Sequence, residues 1–113
     1  MKMPGVEKAL VEENKVINYL LSPDNSEGKQ AFFTAFGFTI DAWEILRNAL
    51  LQHAMNHEVN RSIETIHGHK YVIEGELSTP DGRLPVVRTV WITDKGRDFP
   101  RLVTAYPVQE SGE

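Results

Sequence analysis

The chain contains no cysteine. That excludes disulfides, thiolate metal centres and a cysteine nucleophile, and it removes any implication of an oxidising compartment. No apolar run approaches the ~20 residues of a membrane-spanning helix. The opening Met-Lys-Met-Pro-Gly-Val-Glu-Lys lacks the apolar centre of a secretion signal. A cytoplasmic protein with no membrane partner is the expectation. An excess of positive charge is also missing: 12 Lys and Arg stand against 16 Asp and Glu, a net charge of -4. Such a composition does not coat nucleic acid indiscriminately, because phosphate binding draws on a basic surface. There is no glycine-rich phosphate loop and no serine elbow. His53 and His57 share a helix face, but Ala54-Met55-Asn56 between them lacks the glutamate of a zinc-hydrolase helix. Two histidines alone do not make a site. No metal and no cofactor are expected.

What is present is ordinary in bulk: 113 residues, 41% hydrophobic and 25% charged, enough for one domain with its own core. The charge is unevenly placed. Glu7, Glu12 and Glu13 gather early; Arg83, Arg88, Lys95, Arg97 and Arg101 gather late. Residues 1–8 and 108–113 carry no pattern and are expected to be loose.

Apolar spacing predicts helices near 12–21, 28–36 and 40–56, the last capped by Thr39. Phe32, Phe36, Trp43, Leu46 and Leu50 are the expected core of that layer. Strict alternation then predicts strands near 58–66, 70–77, 85–94 and 101–107. His67-Gly68-His69 and Asp81-Gly82 supply the turns between them. In 85–94, Val86, Arg88, Val90 and Ile92 point one way and Val87, Thr89, Trp91 and Thr93 the other, both largely apolar, so that strand is central. The fold class is α+β: three N-terminal helices packed on a four-stranded antiparallel meander sheet. One sheet face takes the helices; the other is solvent, a partner or a cleft.

Arg88 is the sharpest functional signal. A charge in the middle of an apolar strand needs a partner, either a carboxylate such as Glu74 or Glu76 or an anionic ligand. His67 and His69 flank Gly68 in the turn before Lys70, which opens the second strand, and a histidine near a lysine suits proton transfer and charge stabilisation on a phosphate. Against this stands the plainer reading of a polar hairpin tip.

Two groups of residues resemble a known family. Tyr19-Leu20-Leu21-Ser22-Pro23, Gly28-Lys29, Phe32-Phe33, Phe36-Gly37-Phe38, Trp43 and Leu46 are one; Gly68, Lys70-Tyr71, Asp81-Gly82-Arg83, Val87-Arg88-Thr89-Val90-Trp91-Ile92 and Pro100 to Pro107 are the other. Together they resemble a small uncharacterised bacterial domain family, found as stand-alone proteins and at the C-termini of adhesin-type polymorphic toxins. The helices-then-meander order is similar to barnase-like, colicin-like and RelE-like ribonucleases. The resemblance carries over Lys29, Lys70, Arg88, Thr89 and Thr104 and implies a metal-independent ribonuclease. With His69 and Tyr106 added from the reading of the residues, His69, Lys70, Arg88 and Thr104 are the expected catalytic residues and Lys29, Thr89 and Tyr106 the expected substrate contacts. It implies RNA as partner. The acidic balance favours the alternative, a non-catalytic immunity- or antitoxin-like module with a cognate protein partner. The sequence departs from the family pattern in the run from Asp24 to Lys29, which is shorter and has no histidine.

Overall fold

The computed structural model describes residues 1–23 and 28–108. The divergent run Asp24 to Glu27 and the tail from Gln109 lie outside the described residues. Helix α1, Glu13–Lys15, runs on as a π-helical turn, Val16–Leu20. Helix α2 is Lys29–Ala35 and α3 is Trp43–Asn56. Strands β1 (Val59–Thr65), β2 (Gly68–Glu76), β3 (Val86–Asp94) and β4 (Arg101–Pro107) pair antiparallel in the order β1-β2-β3-β4. The architecture is the expected α+β layer. Helix α3 begins later than its cap residue predicts. Thr39 Oγ1 does accept the Ala42 N–H at 3.3 Å, but Ala42 is non-helical (φ -123°, ψ 48°), so the helix starts at Trp43.

Helix α3 buries Leu46, Leu50, His53 and Ala54, one stripe at helical spacing. They share a core with Tyr71, Ile73, Leu77, Val87 and Trp91 from the β2–β3 half of the sheet. The aromatic core differs from expectation. Phe33 and Phe38 are fully buried, while Phe32, Phe36 and Trp43 are half-buried and pack against its margin. Trp43 carries the Arg47 guanidinium over its ring at 5.0 Å. The fully buried tryptophan is Trp91.

Both patternless ends of the described chain are tied in. Met3 lies in the core, and Leu10 bridges to Arg101 as a short parallel pairing along the outer edge of β4. Leu10 N–H donates to the Pro100 carbonyl and Leu102 N–H to the Leu10 carbonyl, each at 2.9 Å. This covers an edge that would otherwise expose unpaired backbone. Val108 donates to the Val86 carbonyl at 3.0 Å.

A polar chain runs through the core. Trp91 Nε1–H donates to Thr89 Oγ1 at 2.8 Å, and Thr89 Oγ1 lies 3.3 Å from His53 Nδ1. His53 Nε2 lies 2.9 Å from the Val87 carbonyl and 3.1 Å from that of Gly75. The consistent assignment has Nε2–H donating to both carbonyls and Nδ1 accepting from the Thr89 hydroxyl. Burial lowers the His53 pKa from its usual value. The unfolded chain therefore binds a proton near pH 6.5 that the folded chain refuses until lower pH. Stability should be flat in this respect above pH 6.5 and fall as the pH drops below it. Urea midpoints at pH 7.5 and pH 5.5 should differ, and His53→Gln should shrink that difference. An unchanged difference in the variant would assign the pH effect elsewhere.

Candidate functional site

The sheet face away from α3 is set by the register. Glu74 pairs with Arg88 and Arg88 with Tyr106; Val72 pairs with Val90 and Val90 with Thr104. These residues form one open face. At its β4 end the π-helical turn and α2 close a corner.

Two irregularities build that corner. Strict alternation along β4 would put Leu102, Thr104 and Tyr106 together. A register shift opposite Val90 and Trp91 inserts Val103 as an extra residue, so Leu102 and Ala105 are both buried while Thr104 and Tyr106 share the open face. In β1 a second shift lies between Val59 and Arg61, and the looped-out Asn60 accepts the Glu74 N–H through Oδ1 at 2.8 Å. On the helical side, Tyr19 sits in the π turn, a distortion that often marks functional positions.

The side chains converge as follows. The Tyr19 hydroxyl lies 3.0 Å from Thr104 Oγ1. Lys15 Nζ stands 4.9 Å from the Tyr19 ring centroid. Lys29 Nζ stands 5.4 Å from that ring and 5.9 Å from the Tyr106 ring. Arg88 Nε donates to Glu74 Oε2 at 2.7 Å, its Nη2 lies 2.6 Å from the same oxygen, and Nη1 reaches the Tyr106 hydroxyl at 3.4 Å. The Tyr106 and Glu74 hydrogen bonds, in that order, raise the Arg88 pKa, so the guanidinium stays charged. Arg88 and Glu74 are each about one-third exposed (34% and 32%). They are a pair at the surface, not an ion pair sealed in a core. Neither Lys15 nor Lys29 has a carboxylate at ion-pair distance among the described residues.

The sequence-predicted set is split. Arg88, Thr104, Tyr106 and Lys29 come together. Lys70 shares the open face but pairs with Ile92, four residues along β2 from Glu74, or about 13 Å at strand rise. His69 is on the opposite face, with Nδ1 3.2 Å from Glu64 Oε1 and its ring against Tyr71. Thr89 is also on the opposite face, fully buried in the His53–Trp91 chain. Sequence reasoning missed Tyr19 and Lys15 as site residues. Their spacing of four places both on one helical face, which was the available signal. Among the described residues no group of three His, Asp or Glu side chains stands as metal ligands would, and no helix is long and apolar enough to cross a membrane.

A family model described as a domain of unknown function (DUF6883) matches residues 2–109. No curated protein matches the chain significantly. Among solved structures, the chain is similar to one from the contact-dependent growth inhibition toxin–immunity protein complex of Klebsiella pneumoniae 342. The TM-score is 0.73 at 14% identity, covering 94% of this chain and 98% of that one. At that identity the likeness is one of fold.

Proposed function

We propose, for a chain that belongs to the family of domains of unknown function DUF6883, that the corner between β4 and the helices binds a phosphodiester and cleaves RNA. One observation carries this reading: two lysines without carboxylate partners among the described residues, a hydroxyl pair and an arginine–carboxylate pair meet on one partly exposed face. Each type has a place in cleavage by the 2′-hydroxyl. Glu74, its carboxylate oriented by Arg88 and its backbone N–H held by Asn60, takes the 2′-hydroxyl proton. The 2′-oxygen attacks phosphorus and the bond to the 5′-oxygen breaks. The Tyr106 hydroxyl, hydrogen-bonded by Arg88, returns a proton to that oxygen. Lys29 and Lys15 balance charge on the phosphorane, and Tyr19 and Thr104 hold a non-bridging oxygen. The products are a 2′,3′-cyclic phosphate and a 5′-hydroxyl. The fold likeness to a chain of a toxin–immunity complex suits a toxin-system role.

A second reading has its own observation. The net charge of -4 suits a non-catalytic module that meets a basic partner protein. One assay separates them. Purified protein incubated with total RNA and a chelator should yield fragments ending in cyclic phosphate. No cleavage, with no RNA retained at low salt, would transfer the case to the protein-binding module.

A further inference from the structure

His53 takes no part in the chemistry above, yet it is 2% exposed and makes hydrogen bonds through both ring nitrogens. Its Nε2 contacts the carbonyls of Gly75 on β2 and Val87 on β3. Those two residues are register partners, and the adjacent pair in the register is Glu74 with Arg88. The ring is in turn fixed from behind. Thr89 holds Nδ1, Trp91 holds Thr89, and the His53 carbonyl accepts Nδ1–H of His57 at 2.8 Å. The His57 ring packs onto Gly75 so closely that a Cβ there would overlap it. One helix thus grips the two strands from the core side at the point where, on the other face, the carboxylate and guanidinium meet.

We propose that His53 is a positioning residue for the open-face site. By donating to both carbonyls it fixes the relative placement of β2 and β3 at Gly75 and Val87, and so holds Glu74 and Arg88 in register. A purely structural histidine would contribute stability only. A positioning histidine controls the order of a pair whose side chains it never touches. The inference concerns the arginine–carboxylate pair; its consequence for cleavage rests on the function proposed above.

The test reads the pair directly, without RNA. Solvent exchange of the Arg88 Nε–H is measured by nitrogen-15 NMR in wild type, His53→Leu, His53→Gln and Leu50→Ala. The leucine removes both donations. Glutamine restores a donor of similar reach. Leu50→Ala destabilises the same helix without touching the strap. Arg88 Nε–H exchange should quicken about tenfold in His53→Leu, recover in His53→Gln and stay near wild type in Leu50→Ala, because local opening rather than global unfolding governs it. Thr89→Val removes the Nδ1 partner, and with it the acceptor of Trp91 Nε1–H, but leaves both Nε2 donations; it should quicken exchange by less than about tenfold, which keeps the test open if His53→Leu does not fold. Equal exchange in His53→Leu and Leu50→Ala, or no change in a folded Thr89→Val, would overturn the proposal. If exchange follows the prediction while wild type cleaves no RNA, the strap stands and the cleavage reading falls.

Discussion

Trp91→Ala is expected to destabilise the protein by about 3–5 kcal/mol, the range for removing a fully buried large aromatic. Trp91 is 0% exposed and sits in the central strand. Its loss also strips Thr89 of the N–H that fills its oxygen, leaving a buried hydroxyl less well satisfied. Trp43→Ala should cost clearly less, because Trp43 lies half-buried at the core margin. Urea denaturation of both variants is the measurement. A larger loss at Trp43 than at Trp91 would mean that the margin of the core, not the central strand, dominates stability.

Lys29→Met should lower the RNA cleavage rate by about 10²–10³-fold, the usual effect of removing one group that balances transition-state charge. Its unfolding midpoint should hardly move, since the lysine makes ring contacts at the surface and no ion pair among the described residues. Lys70→Met is the matched control. Its position about 13 Å from Glu74 along β2 predicts a small effect. Greater damage from Lys70→Met would move the site to the hairpin end of the face, where the family resemblance puts catalytic residues.

The sheet was legible because its strands keep period two over most of their length. Alternation alone gave Arg88 the opposite face from Trp91, and the pairing order follows from short turns, although the first lies at Ile66-His67 and not at the expected His67-Gly68-His69, of which Gly68 and His69 belong to β2. The helix stripe Leu46, Leu50, Ala54 was legible on the same grounds. The corner was not. Thr104 and Tyr106 share Arg88's face while Leu102 is buried only because Val103 is looped into β4, and nothing in the run Arg-Leu-Val-Thr-Ala-Tyr-Pro marks the inserted residue. Tyr19 reaches Thr104 across the whole chain, and no local pattern encodes such a contact. His69 and Lys70 are neighbours in sequence and therefore point to opposite faces of β2. Adjacency in a strand separates side chains, so the two do not meet at one phosphate.

The bridge between Leu10 and Arg101 bears on how the protein comes to be folded at all. It joins the early part of the chain to the last strand, and the Tyr19 hydroxyl likewise meets Thr104. Such distant pairings carry a loop-closure cost that must be met before they return any stability. On a ribosome, the helices emerge long before their final neighbours. They must wait, partly uncovered, until β4 leaves the exit tunnel. Folding should then be a late, single event rather than a progressive one, and chains truncated before Arg101 should remain sensitive to protease.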